Sequence, residues 1–270
     1  MDIDIRDRII VALDADNYED ASRLVEMLAP YVSTFKIGLC LSTIVWYEQA
    51  MDMIYQFGGS VFVDFKYREI PQDVGKAIRK IVCLRGVKMF TVYADGGSEL
   101  MREAKKNRGE ALAIAVTVPT WLSPKEARLI YGVPMDENDG PARLELSDED
   151  WLIEKVKQFT YSASTIGLDG VVCSPWEVAA LKSERAIRPL VRYNVIATAI
   201  RPIWASRDDQ QRVMTPYDAI RTGLERFVIG RPVTRRLYEP IEGVENPVGA
   251  VQLIIKEVEQ GLIDRKTFLK

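Results

Sequence analysis

A single-domain (β/α)8, or TIM, barrel is the fold the sequence predicts, on three observations. Eight apolar, strand-like runs alternate with segments of helical period along the whole chain. The 270 residues suit a fold that typically needs about 250. No Gly-x-Gly-x-x-Gly follows the first strand, which argues against an open dinucleotide-binding sheet.

The first strand spans residues 8–14 (RIIVALD), an apolar run closed by an acid. Tyr18–Leu28 follows, with Ala21, Leu24, Val25 and Leu28 at helical spacing. A short strand over residues 35–38 carries Lys36, and a helix is expected over 42–57. Residues 61–66 form the third strand and 72–83 its amphipathic helix. The fourth strand, 87–94, closes in a tight turn at Asp95-Gly96-Gly97 before the helix Ser98–Asn107. Residues 111–118 are the fifth strand.

The rhythm then breaks over 131–150, where Asp136-Glu137-Asn138-Asp139-Gly140-Pro141 is turn chemistry. This stretch reads as an irregular insertion after the fifth barrel helix. The acidic residues 145–154 read as a helix start with a solvated face. Residues 165–173 enter the sixth strand through Leu168-Asp169-Gly170, with a helix over 175–182. Residues 193–199 and 226–230 are the seventh and eighth strands, and a last helix covers 247–260.

Composition removes several classes of function. Net charge is −3 and no basic stripe runs along a face, which argues against a nucleic-acid partner. The N-terminus alternates charge with isoleucine, unlike a signal peptide, and no apolar run approaches the length of a membrane span. Cys40, Cys83 and Cys173 stand apart in or beside apolar runs without a Cys-x-x-Cys pair, and read as reduced core residues of a cytoplasmic protein. Histidine is absent. This removes Ser-His-Asp and Cys-His catalysis, most zinc sites and the commonest general base, so any chemistry must come from Lys, Asp, Glu, Arg, Tyr or Cys.

Charged residues recur where strands end: Asp14, Lys36, Asp64, Lys66 and Arg231. A barrel gathers these ends at one mouth. The stretch Val61-Phe62-Val63-Asp64-Phe65-Lys66-Tyr67-Arg68-Glu69-Ile70-Pro71 is the densest. Asp64 and Lys66 are two apart, so an extended strand sends both side chains to one face, where opposite charges keep each other ionised. Near the other end, Arg201, Gln210 and Arg231 flank the last two strands. Arginine forks bind phosphate oxygens, and this is where barrels commonly cradle phosphate.

Taken together, Ala12-Leu13-Asp14, Phe35-Lys36-Ile37-Gly38, Asp64-Phe65-Lys66 with Ile70-Pro71, and Ala94-Asp95-Gly96-Gly97 resemble the orotidine 5'-phosphate decarboxylase family. So do Gly170-Val171-Val172-Cys173-Ser174, Ile200-Arg201-Pro202, Asp209-Gln210 and Val228-Ile229-Gly230-Arg231-Pro232. The resemblance covers nearly the whole chain. It implies a homodimeric barrel with shared active sites that decarboxylates orotidylate to uridylate, in pyrimidine biosynthesis, without metal or organic cofactor. By the same carry-over, Lys36, Asp64, Lys66 and Glu69 are the catalytic charges. Lys66 is the donor of a proton to C6, and Glu69 matches the charge that the family supplies across the dimer interface. Asp14, Asp73, Thr120, Arg201, Gln210, Gly230 and Arg231 bind the substrate's ribose, base and phosphate.

The chain departs from the family's pattern at several of these places. Glu69 stands for an aspartate and Asp73 for a threonine that reaches the ribose. Pro119-Thr120-Trp121 replaces small hydroxyl residues near the base, with Glu69, Asp73 and Trp121 all expected to line the pocket. Thr198-Ala199 replaces Pro-Gly, and Tyr93 replaces a histidine. Two further readings therefore accompany decarboxylation: a related enzyme acting on another nucleotide or sugar phosphate, and a non-catalytic binder of a phosphate ligand.

Overall fold

In a computed structural model, which describes residues 3–132, 146–183, 194–208, 210 and 212–268, eight parallel strands close on themselves in chain order. They are β1 (Ile9–Ala12), β2 (Thr34–Ile37), β3 (Ser60–Tyr67), β4 (Val87–Tyr93), β5 (Leu112–Val116), β6 (Gly170–Cys173), β7 (Asn194–Ala197) and β8 (Arg226–Ile229). Closure comes from β1 lying against β8, with Ile10 opposite Val228. The first half of the helical shell is α1 (Ile5–Arg8), α2 (Tyr18–Leu28), α3 (Leu39–Ile44), α4 (Tyr47–Gln56), α5 (Pro71–Ile81) and α6 (Ser98–Asn107). The second half is α7 (Pro124–Tyr131), α8 (Asp148–Ile166), α9 (Val178–Ser183), α10 (Pro216–Arg221), α11 (Arg231–Thr234) and α12 (Pro247–Phe268). Among the described residues no helix is long and apolar enough to cross a membrane.

Alternation along each strand divides the core in two. Ile10, Phe62, Met89, Ile114, Val172, Ile196 and Val228 fill the lumen. Their neighbours Val11, Val61, Val63 and Phe90 pack outward against the helices. Phe62 is fully buried, worth about 2–3 kcal/mol, and it is the floor beneath Asp64 on the same inner face. That alternation is what sends Asp14, Lys36 and Asp64 upward into one opening.

Helices α2 and α6 span the residues their periodicity indicated. The helix expected over 42–57 is two. Val45 is extended (φ −125°, ψ 138°) with its side chain buried, so the chain turns there while its apolar spacing continues. Residues 165 and 166, which looked like the start of the sixth strand, end α8. Gly167 at φ +86° stops that helix by taking the left-handed turn a side chain would resist. The insertion expected over 131–150 falls largely on residues 133–145, outside the described residues, and its described ends belong to α7 and α8. Cys173 is a core residue as expected, but Cys40 and Cys83 are exposed. Cys40 lies on the outer side of α3, which buries Leu41 instead, and Cys83 follows the last buried residue of α5, Ile81.

Candidate active site

Three adjacent strands build the charged wall of the mouth. Lys36 extends from β2 with its Nζ 3.4 Å from Asp64 Oδ2 and 3.8 Å from Asp14 Oδ1. Lys66 Nζ lies 2.8 Å from the same Asp64 oxygen. Asp14, Lys36, Asp64 and Lys66 thus alternate in sign along one chain of contacts. The inner pair is the more hidden, with side chains 11% and 10% exposed for Lys36 and Asp64, against 31% for Lys66. Lys66 therefore presents its ammonium to the opening.

Burial alone would raise the pKa of Asp64. The charges of Lys36 and Lys66, with hydrogen bonds from Lys66 and Thr91, outweigh it and hold the carboxyl below its ordinary 3.8. Burial would likewise lower Lys36, but Asp64 and Asp14 hold it above 10.5. The stability that Asp64 contributes is therefore present above pH 3.8 and lost as pH falls through its lower folded value. That of Lys36 is present below pH 10.5 and lost as pH rises through its higher one. Urea unfolding followed against pH should show an acid limb that Asp64→Asn makes shallower. An unchanged limb would mean that the cluster does not couple to folding.

The opposite wall comes from loops after β5, β7 and β8. A cavity of about 300 Å3 separates the two walls and reaches Asp14, Lys66, Thr120, Trp121, Arg201, Gln210, Gly230 and Arg231. Thr120 Oγ1 lies 3.2 Å from Thr198 Oγ1 and donates at 3.4 Å to Gln210 Oε1. At Gly230 a Cβ would come within 3.3 Å of the Ala12 side chain and 3.6 Å of Asp14 Oδ2, so the absent side chain leaves Asp14 its room. Ala199 sits at φ +59°, a left-handed conformation that costs a side chain about 1–3 kcal/mol. The glycine that the resemblance leads one to expect there would adopt it freely.

Arg201 and Arg231 converge on Asp208, at 3.9 and 3.5 Å from its Oδ2, and Arg235 lies 3.1 Å from Oδ1. An anion thus already stands among three guanidinium groups at the edge of the cavity. Asp208 and Arg235 were not singled out in the sequence, since a lone charge in a polar loop or in the short 3-10 turn after α11 carries no periodic signal. The loop that carries Asp208 is pinned from below. The buried Arg212 pairs with the buried Glu177 and donates to Pro119 O at 3.2 Å, while Trp176 Nε1 donates to Val213 O at 3.0 Å.

Thr91 was also missed. It is fully buried on β4 and touches both Asp64 and Lys66. Its signal was a lone hydroxyl in an apolar strand, two residues from the lumen residue Met89.

Glu69 and Asp73 are not brought to the cavity within one chain, so of the three residues expected to line it only Trp121 does. The strand ends at Tyr67 and the chain turns outward; Glu69 Oε1 accepts from Ile70 N at 2.8 Å. Asp73, in the first turn of α5, pairs with Lys76 at 2.8 Å. Both are exposed. Tyr93, at the inner end of β4, has its hydroxyl pKa raised by partial burial and by the nearby Asp95 and Asp64.

Residues 7–245 match the family model described as orotidine 5'-phosphate decarboxylase / HUMPS family. The orotidine 5'-phosphate decarboxylase of Syntrophomonas wolfei is 34% identical over 259 residues, covering 94% of this chain and 99% of that protein. That of Moorella thermoacetica is 35% identical over 263 residues, covering 94% and 93%. A crystal structure of orotidine 5'-phosphate decarboxylase from Lactobacillus acidophilus superposes with a TM-score of 0.71 at 27% identity, over 93% of this chain and 99% of that one. Closed barrel, matched sequence and shared structure agree, and the chain belongs to the orotidine 5'-phosphate decarboxylase / HUMPS family.

Proposed function

We propose that this chain decarboxylates orotidine 5'-phosphate to uridine 5'-phosphate, a carbon–carbon lyase reaction of pyrimidine biosynthesis, using its own side chains. The observation that carries the reading is the array Asp14, Lys36, Asp64, Lys66 facing a set of arginines across one cavity. The nucleotide's carboxylate is placed beside Asp64. When CO2 departs, its bonding electron pair stays on C6 of the pyrimidine. The Lys66 ammonium stabilises that charge and then gives up a proton to it, leaving a neutral amine that recovers its proton from water. Asp14 and Lys36 hold the ribose hydroxyls, and Thr120 faces the base. Arg231, Gln210 and Arg201 hold the phosphate beside Gly230, where Asp208 now supplies the anion. Binding energy from that remote dianion is available for closing the site.

The proposal includes a homodimer. Leu39 and Ile44 on α3, Trp46 just before α4 and Ile70 just before α5 are 66%, 49%, 78% and 60% exposed, in the segments that follow the adjacent strands β2 and β3. A second copy covering this apolar rim would bring its Glu69 toward the cavity as the fourth charge, with Asp73 nearby. The three cysteines are unpaired, in keeping with a cytoplasmic setting.

The deciding experiment is the ultraviolet absorbance of orotidine 5'-phosphate mixed with the purified protein: the orotate band should disappear. Arg231→Ala should raise KM for this substrate by about 10- to 150-fold, the loss of a charge-assisted contact, and leave orotidine without its phosphate unaffected. Equal losses for both compounds would remove Arg231 from the phosphate site. One observation favours a second reading, action on a different phosphorylated compound: Trp121 lines the cavity while 50% exposed. A stable orotate band, with the protein melting higher in another phosphate ester, would establish it.

A further inference from the structure

The third strand does not run regularly into the site. Val63 pairs with Phe90 and Tyr67 with Val92, so Asp64, Phe65 and Lys66 together face the single residue Thr91. Within this bulge Lys66 adopts φ +50°, the left-handed region that a lysine rarely enters unless its surroundings hold it there. Its backbone N–H has left the regular ladder and donates to Thr91 Oγ1 at 2.9 Å. The same hydroxyl donates its one proton to Asp64 Oδ1, also at 2.9 Å.

We infer that Thr91 is a positioning residue for the proposed decarboxylation, a hydroxyl that locks the bulge carrying Lys66 to the carboxylate plane of Asp64. The inference rests on the function proposed above. Thr91 reaches neither ammonium directly; it acts through the two residues that do. A hydroxyl has one proton, and with that proton spent on Asp64 its lone pair is free to accept from Lys66 N. With Oδ1 held by Thr91, Oδ2 is the oxygen left to Lys66 and Lys36, at 2.8 and 3.4 Å. One side chain therefore sets both the rotation of the carboxylate and the backbone angle from which the Lys66 side chain leaves. Thr91 is on the same face of β4 as Met89 and Tyr93, fully buried, with no path to solvent. In so dry a place a lost hydrogen bond is not replaced by water. Valine would fill the same space without either bond.

The test compares Thr91→Val with Thr91→Ser. In Thr91→Val, kcat should fall about 10- to 100-fold, the size expected for a bond to a charged group, with KM and uridine 5'-phosphate binding within about twofold. Thr91→Ser should restore most of kcat. Equal activity in Val and Ser variants overturns the inference, as does a Val variant that loses nucleotide affinity and kcat together.

Two further readouts need no turnover and separate this inference from the proposed reaction. In the wild type the Lys66 amide should exchange slowly with solvent, and fast exchange would overturn the bond to Thr91. The Asp64 carboxyl carbon, followed by NMR in acid, should titrate at higher pH in Thr91→Val than in the wild type or Thr91→Ser. The groups facing it from the packed strands, Asp14, Lys36, Lys66 and Tyr93, are the same in all three proteins. If the wild type does not consume orotidylate but both readouts hold, the reaction is wrong and the lock stands.

Discussion

Lys66→Ala should reduce orotidylate turnover by at least about a thousandfold while uridine 5'-phosphate still binds. A positioned proton donor alone is worth about 10²–10⁴ in rate, and the same ammonium also opposes the negative charge that grows on C6 as CO2 leaves. Both contributions vanish with the side chain. The variant should keep its fold, because Lys66 is 31% exposed and Asp64 retains a counter-charge in Lys36, 3.4 Å away. The nucleotide should keep its place, because the arginines and Gln210 stand beyond the ends of β7 and β8, across the cavity from Lys66. The measurement is the initial rate of absorbance loss, with uridine 5'-phosphate titrated by calorimetry. Turnover within tenfold of wild type would take the proton donor's role away from Lys66. Loss of nucleotide binding would mean that the ammonium serves the ground state.

A larger effect on stability is expected at Arg212. Its guanidinium and the carboxylate of Glu177 are both buried, at 3% and 1% exposure. Burial pushes the Glu177 carboxyl upward, and Arg212, with the Ser174 N–H at 2.9 Å, pulls against it. Arg212→Met removes the partner and leaves the carboxylate alone in the interior, a change that costs about 3–5 kcal/mol in comparable pairs. Adding Glu177→Gln, which keeps an oxygen for Ser174 N, should recover a good part of the loss. Urea unfolding of the single and double variants measures it. A loss below about 1 kcal/mol for the single variant would be the value of a surface pair and would show that water reaches this site. KM for the nucleotide should also rise, because Arg212 ties the loop bearing Gln210 to Pro119.

What could be read from the sequence followed the period of its side chains. Eight strands in order, and the inward direction of Asp14, Lys36 and Asp64, follow from that period, and the barrel converts them into one mouth; Lys66, expected there by simple alternation with Asp64, instead reaches it through the bulge in β3. What could not be read depends on contacts across the fold. Thr91 sits in a strand whose period is ordinary, and its value comes from a bulge in the neighbouring strand. Glu177, in the 3-10 turn that opens α9, and Arg212, in the loop after β7, are far apart in sequence. Asp208 lies in a polar loop with no pattern to mark it, and its place comes from three arginines on different segments. Glu69 and Asp73 point away from the cavity of their own chain, where no intrachain pattern could assign them a partner.

The seam between β1 and β8 has a consequence for how the molecule is made. Ile10 pairs with Val228, so the last ladder joins the two ends of the barrel across nearly the whole chain. Contacts between such distant residues are the slow ones in folding. Asp14 leaves one side of that seam, and Gly230 and Arg231 the other. A growing chain can therefore build the wall of Lys36, Asp64 and Lys66 early, yet it cannot grip a phosphate ester until its eighth strand is complete. Ligand present during refolding should thus protect only the finished barrel.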